Sequence, residues 1–451
     1  MSDVDVGLIS VLFILITVYI GMHVGVALSI ISFVCVWIIQ EEETVMEEVA
    51  IAGKMMALAA AESLQTYEFG VIPLFVLMGL FVSVSDIGRD TYDVANYLFR
   101  RVKGGLGMAT VAANAVFAAV TGTSIASASV FTKVAVPEML RLGYKPRFAV
   151  GVVAGSSVLG MLIPPSLLLI LFGILAEISI GDLFIAGIIP GIVLSVAFMI
   201  LIAIMAWRWP EIVQPEMAER MAEAQQIEMS PLTVVAKLGP IVLLIFLVLG
   251  GIYLGWFTAT EAGGVGAFAA FCLTLILRKM SFQNLWRVLR ETGHVTAAIC
   301  FLFISAHLYG RMITLTGIPN EMESFIVGAG LSLGVLIAIY IAVMVVLGTI
   351  MSAGEIMLIT VPLAVPALSV FPGVDLVWIG IITVIGVEIG LLTPPLGLAC
   401  FVIHNNLQDK RISVNDIFIG AAPFALTMLV VLILVAIFPD IALVLVNLAN
   451  S

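Results

Sequence analysis

Apolar residues fill this chain in long continuous stretches separated by short polar segments, without two-residue alternation. Continuity over about 20 residues marks a helix that spans a bilayer, whereas alternation would mark a barrel. The first stretch runs from Leu8 to Ile39, and an acidic loop, Glu41 to Glu48, follows it. No basic residue precedes this stretch and it exceeds a signal-peptide core, so it is expected to stay in the mature chain. A weaker segment, Ile51 to Leu64, reads as interfacial. A clear span covers Val71 to Val84, and a polar loop then carries Arg89, Arg100, Arg101 and Lys103. Two apolar arms flank Gly122-Thr123-Ser124, and a basic cluster of Arg141, Lys145 and Arg147 follows.

Next comes an apolar segment from Phe148 to Leu175 that contains "GMLIPPSLLLILFG", starting at Gly160. A span from Leu183 to Met205 leads to a polar linker, Trp207 to Ser230, expected to be an amphipathic surface helix. Spans near Ile241 and Ala262 and a basic loop, Arg278 to Arg290, complete this part. The pattern then starts again. A span from His294 to Ile313 precedes two arms around Gly348-Thr349, and a second broken segment, Val377 to Val402, contains "GLLTPPLGLACFV". A last span covers Ile417 to Phe438. The replay has three landmarks in one order: Gly122 with Gly348, Pro164-Pro165 with Pro394-Pro395, and "SIGDLF" at Ser179 with "SVNDIF" at Ser413. Their offsets of 226, 230 and 234 drift slowly, as two small insertions would make them.

Composition fixes the class. Of the 451 residues 62% are hydrophobic and 11% charged, and the mean hydropathy is +1.22. No soluble core needs that much apolar surface, so the chain reads as an all-α polytopic membrane protein with the lipid bilayer as its solvent. The formal net charge of −11 argues against a nucleic-acid partner. Cys35, Cys272, Cys300 and Cys400 lie in apolar runs without metal-ligand spacing and read as packing residues. No Ser/His or paired-Asp constellation suits an intramembrane enzyme.

Charge also orients the chain. If the arms around Gly122 form a re-entrant hairpin, all but Lys54 and Arg311 of the 19 Lys and Arg residues fall on or near one face. Lys133 and Lys237 are the loosest members of that set. The opposite loops, near Asp182, Glu321 and Asp375, carry no basic residue, so the basic face is cytoplasmic. An odd number of crossings then separates the two leading spans. Two inverted-topology repeats result, each with a re-entrant helical hairpin and a proline-broken helix.

Inverted repeats with interrupted helices belong to secondary transporters. A proline inside a helix removes a hydrogen bond and clashes with the preceding turn, at a cost of about 3 kcal/mol. The interruption is tolerated beside a protein-lined cavity, where freed carbonyls can bind a cation and freed N–H groups an anion. Each prolyl pair lies 42 to 46 residues after a Gly-Thr tip. The expected cation ligands are Gly122, Thr123, Ser124, Gly160, Pro164 and Ser166 in the first half, and Gly348, Thr349, Gly390, Thr393 and Pro394 in the second. Thr121, Ser352, Glu355, Pro165 and Pro395 are expected to bind substrate or gate its access. Backbone and hydroxyl oxygens without an obligate carboxylate suit Na+ better than Zn2+. Glu261 and Glu388 stand between structural and functional roles.

The run "GTSIASASVFTKVAVPEMLRLGYKPRFAVGVVAGSSVLGMLIPPSLLLILFG", with "IPLFVLMG" at Ile72 and "LLTPPLG" at Leu391, closely resembles the large membrane subunit of tripartite ATP-independent periplasmic (TRAP) transporters. The resemblance covers nearly the whole chain. It implies a Na+-driven, elevator-type importer of organic acid anions in the bacterial inner membrane. It further implies two partners, a small TRAP membrane subunit and a periplasmic solute-binding protein. Family members often carry an aspartate about where this chain has Ser352, three residues before Glu355. A stand-alone Na+-coupled dicarboxylate or related anion symporter is the alternative reading. The expected divisions are an N-terminal helix and acidic loop over 1–68, a first repeat over 69–209 and a cytoplasmic linker with connecting helices over 210–293. A second repeat over 294–440 and a tail over 441–451 complete the set.

Overall fold

The structure is a computed structural model that describes residues 2–40, 44–65, 67–213, 229–407, 409 and 411–449. Among them every regular element is helical. The first apolar run is not one helix but two, α1 (Asp3–Tyr19) and α2 (Val24–Ile39), packed on each other. Gly21 takes φ +105°, and the His23 side chain accepts a hydrogen bond from the Gly25 N–H at 3.3 Å to start α2. The next segment is the helix α3 (Val45–Gln65).

The first half then runs through α4 (Val71–Val84) and α5 (Ile87–Phe99), which meet at a 64° bend. The stretch expected as a polar loop is therefore largely helical. Asp86 at φ 64° makes the turn, and Arg89 sits on α5. The arms are α6 (Gly105–Thr121) and α7 (Ser124–Arg141), packed side by side. The broken segment is α8 (Pro146–Ser157), α9 (Leu159–Leu162) and α10 (Leu167–Leu175), with a 42° bend at the prolines. The half closes with α11 (Ile180–Arg208). Most of the linker expected as a surface helix lies outside the described residues. α12 (Pro231–Ile245) and α13 (Ala259–Ile276) connect the halves.

The second half repeats this order. α14 (Phe282–Leu315) begins well before its expected start and takes Arg287 and Arg290 onto a helix instead of a loop. α15 (Ile318–Gly328) stands in the place of α5. The arms are α16 (Leu333–Gly348) and α17 (Ala353–Ser369). The broken segment is α18 (Leu376–Leu391) and α19 (Leu398–Asn406), followed by α20 (Val414–Ile437). The expected tail forms α21 (Asp440–Ala449). The match between "SIGDLF" and "SVNDIF" has a physical cause. Ser179 accepts from the Asp182 N–H at 3.1 Å and Ser413 from the Asp416 N–H at 3.2 Å, so each serine caps the closing helix of its half.

The halves interlock reciprocally. α7 packs on α19, and α17 packs on α10, so each hairpin touches the segment beyond the other half's break. α8 packs on α20, where a Cβ at Gly151 would lie 2.2 Å from the Gly420 carbonyl oxygen. Arg147 Nε donates to Asp416 Oδ1 at 2.6 Å across the same contact. Five helices, or seven if each bent pair counts once, are long and apolar enough to cross a membrane among the described residues.

Candidate functional site

Both prolyl pairs break their helices for the same reason. Proline has no N–H, so Pro164 and Pro165 leave the Gly160 and Met161 carbonyls without helical donors. Pro394 and Pro395 remove the i+4 donors of Gly390 and Leu391, and the Thr393 N–H takes up the Gly390 carbonyl at 2.9 Å instead. The Pro164-Pro165 and Pro394-Pro395 bonds are both cis. Beyond each pair the chain turns back to its own tip. Leu167 N–H donates to the Gly122 carbonyl at 3.1 Å, and Leu396 N–H donates to the Thr349 carbonyl at 3.0 Å. Each half thus ties one tip to one break through a similar backbone bond, shifted by one residue at both ends in the second half.

Close backbone approach explains the glycines. Gly122 ends α6 at φ +64°, and a Cβ there would lie 2.6 Å from the Pro165 carbonyl oxygen. A Cβ at Gly160 would lie 2.6 Å from the Thr123 carbonyl oxygen, and one at Gly390 would lie 2.4 Å from the Gly348 Cα. No side chain larger than hydrogen fits between these tips and breaks.

The hydroxyls are partly committed. Thr121 Oγ1 donates to the Phe117 carbonyl at 3.0 Å, while Thr123 Oγ1 accepts from the Ala126 N–H at 3.3 Å and caps α7. Ser166 donates to the Met161 carbonyl and accepts from the Leu169 N–H at 3.3 Å, which caps α10. Thr349 Oγ1 donates to the Val346 carbonyl and Thr393 Oγ1 to the Ile389 carbonyl. Each of these oxygens keeps a lone pair for a cation. The donor set is all oxygen, the ligand type that hard cations take. Among the described residues no group of three or more His, Cys, Asp or Glu side chains could hold a metal.

Two acids separate here. Glu355 Oε2 accepts from the Ser352 N–H at 2.8 Å, so the pair closes the N-terminus of α17. Glu388 is 1% exposed, and its Oε1 accepts from Ser124 Oγ at 2.8 Å. The first tip is therefore tied to the second half's broken helix. The sequence marked both residues but not their pairing. The available signal was that Glu388 occupies the slot of Val158, 230 positions earlier, where the first half is apolar.

Arg311 binds Glu62 on α3. Lys133 lines a cavity of about 510 Å³ between α4, α5, α7 and α14, together with Arg89 and Arg287. Leu80 of α4 belongs to this cavity. Phe75, Val76 and Met78 of the same helix face Thr121, Gly122 and Thr123 at the first tip.

Residues 10–441 match the family described as the tripartite ATP-independent periplasmic transporter, DctM component. The chain is 33% identical over 397 residues to the C4-dicarboxylate TRAP transporter large permease protein DctM of Pseudomonas aeruginosa. That match covers 87% of this chain and 90% of the relative. It is 28% identical over 375 residues to the sialic acid TRAP transporter large permease protein SiaM of Vibrio cholerae, covering 83% and 85%. Among solved structures, the YdaH transporter of Alcanivorax borkumensis superposes with a TM-score of 0.60 at 11% identity. The superposition covers 87% of this chain and 89% of that one, a likeness of fold.

Proposed function

Because the chain belongs to the DctM family of tripartite ATP-independent periplasmic (TRAP) transporters, we propose that it is the large permease subunit of a Na+-coupled importer of organic acid anions. The family makes it a membrane transporter and not an enzyme. One relative carries C4-dicarboxylates and another sialic acid by name. The solute class proposed here is accordingly dicarboxylates, sugar acids or sialic acid. A periplasmic solute-binding protein delivers the anion, and a small TRAP membrane subunit packs beside this chain in the bacterial inner membrane.

The observation that carries the reading is the duplicated tip-and-break unit. In each half a glycine-bearing tip lies on a helix whose last carbonyls have lost their i+4 donors to a prolyl pair. Gly122, Thr123, Ser124, Gly160 and Ser166 would hold one Na+, and Gly348, Thr349, Gly390 and Thr393 a second. The cation supplies positive charge that attracts the organic anion between the tips. The chain's own work is to hold oxygen ligands without water and to move them together.

The arms support a re-entrant arrangement. α6, α7, α16 and α17 have 16 to 18 residues, about 24–27 Å of helix, short of a full bilayer core. The reciprocal packing of the halves suits inverted repeats, and it suits tips that travel as one body in an elevator-like step. Cysteines placed at Gly143 and Asp375 should label from opposite sides of the membrane. Labelling of both from one side refutes the inversion.

The coupling is tested in proteoliposomes holding the complex with its binding protein. Solute uptake should require an inward Na+ gradient and be indifferent to ATP. Equal uptake with K+ in place of Na+, or with a proton gradient alone, overturns the Na+ assignment. Full uptake without the binding protein favours the stand-alone symporter.

A further inference from the structure

We infer that Glu388 is the anionic ligand of the cation site at the first hairpin tip, supplied to that tip by the second half of the chain. This rests on the Na+-coupled reading and deepens it by naming the charge that the otherwise neutral oxygen set lacks.

Three observations converge on one place. Ser124 is the first residue of α7, two residues after the tip glycine Gly122, and its hydroxyl spends its proton on Glu388 Oε1 at 2.8 Å. Gly160 packs against the Thr123–Ser124 peptide, where a Cβ would lie 3.1 Å from the Ser124 nitrogen. Its carbonyl faces Pro164 in sequence, which brings no N–H to it. Glu388 enters from α18, two residues before Gly390, and α18 also packs on α9. Tip, first break and second broken helix therefore meet at this carboxylate.

The second oxygen carries the argument. Glu388 Oε2 is buried and has no hydrogen-bond partner, and no Lys, Arg or His pairs with Glu388 among the described residues. A buried carboxylate without a counter-charge is costly in a protein interior and costlier within a bilayer. The N-terminus of α7 offsets part of that cost through the helix dipole, but it donates nothing to Oε2. A monovalent cation held by Oε2 and a Ser124 lone pair completes the carboxylate's coordination. The first half has Val158 at the matching position, and the first tip's partner Ile350 replaces Ser124 in the second. The first half therefore supplies no buried acid to the second tip that answers Glu388, and the acid nearest that tip in sequence, Glu355, is committed to the N-terminus of α17.

The test uses the full-length permease purified with its small membrane subunit, without solute. NaCl is titrated against choline chloride at constant ionic strength, and the thermal-unfolding midpoint is read. A cation that binds only the folded state raises the midpoint saturably. Glu388→Gln keeps the size and the hydrogen-bond acceptor but removes the charge. It should raise the half-saturating Na+ concentration at least about tenfold, because a buried charge attracts a cation strongly at short range. It should also raise the midpoint without Na+. An unchanged Na+ response in Glu388→Gln overturns the assignment of Glu388 while leaving Na+ coupling intact. A wild-type protein whose midpoint ignores Na+ and whose uptake needs none overturns the underlying reading instead. If Glu388→Gln does not fold, Ser124→Ala decides: a raised half-saturating concentration supports the site, and an unchanged one refutes it.

Discussion

The two prolyl breaks share a prolyl pair and a backbone bond to a tip, and differ in the residues that follow. At the first, Pro164, Pro165 and Ser166 are all buried, and the Ser166 hydroxyl takes up the Met161 carbonyl that Pro165 freed. At the second, Pro394 and Pro395 are exposed, and Leu396, 44% exposed, stands where Ser166 would be. Leucine has no donor to give, so the Leu391 carbonyl, which corresponds to Met161, receives none from the described residues. The first break is sealed by its own side chain and the second is open. Both halves keep the interruption together with a tip-to-break backbone bond. The side chains around each copy are then free to diverge, and here they make one interior joint and one accessible joint.

The sharpest way to break this comparison is to fill the close contacts. Gly390→Ala sets a Cβ 2.4 Å from the Gly348 Cα, where neither backbone can yield without parting α16 from α18. Gly160→Ala meets the Thr123 carbonyl oxygen at 2.6 Å. Both should cost the upper end of roughly 1–3 kcal/mol or more and sharply lower the folded yield. Gly264→Ala, on α13 with its nearest neighbour Leu74 Cδ1 at 3.9 Å, should be neutral or gain up to about 1 kcal/mol from helix propensity. Thermal unfolding of the three variants checks the ranking. If Gly390→Ala were as stable as Gly264→Ala, the tips and breaks would not be in the contact that both proposed cation sites need.

Smaller effects sharpen the difference between sealed and open. Replacing either prolyl pair with Ala-Ala returns two N–H donors to the helix. At the second break the Leu391 carbonyl is unclaimed beside the proposed ligands Gly390 and Thr393, so the donors remove a free oxygen at that site, and apparent Na+ affinity in uptake should fall about tenfold. At the first break Ser166 already holds the Met161 carbonyl, so the fall should be smaller. Ser166→Ala removes the α10 cap at a cost of about 1 kcal/mol, and it should make the first break respond to Ala-Ala as the second does. Equal losses from both pairs, with or without Ser166, would mean that the side-chain difference has no bearing on the ion.

How much of this was legible follows from which signals are local. The tips and the breaks are readable, because prolines and glycines act on residues a few positions away, whereas Ser179 and Ser413 stand out in the sequence only as repeat landmarks and the structure shows them to be helix caps. The division of the first apolar run was not, since only Gly21 and His23 mark it inside an otherwise unbroken stretch. α5 has the sequence look of a loop because its charges, Arg89, Asp90 and Asp93, mask an apolar face that buries Ile87, Tyr92 and Val94. The Ser124–Glu388 bond joins residues 264 positions apart, and no periodicity announces such a pair. The sealing of one break and the opening of the other is likewise a matter of tertiary packing, although Ser166 against Leu396 was its sequence trace.

The smallest expected effect lies in the loops that follow the two broken helices. The first, after α10, is short and holds Glu177 at φ 54°. The second, after α19, carries Asp409 and Arg411, and Arg411 grips the carboxylate with its guanidinium at 2.9 and 2.7 Å and with its own N–H at 3.0 Å. These bonds hold the Asp409 carboxyl down at about 2. A depressed carboxyl stabilises the fold above its unfolded value, near 4, and loses that contribution as pH falls through about 2. Across the range in which a transporter is assayed the pair is therefore constant. Arg411 is almost wholly solvent-exposed, so the pair is screened by salt and contributes little. Asp409→Asn should leave the thermal midpoint unchanged from pH 5 to 8, and any loss should appear only in low salt. A marked loss of stability at neutral pH and physiological salt would show that this loop, unlike its counterpart after α10, holds the second broken helix in place. The openness of the second break would then be maintained from its far end rather than by the residues at the prolines.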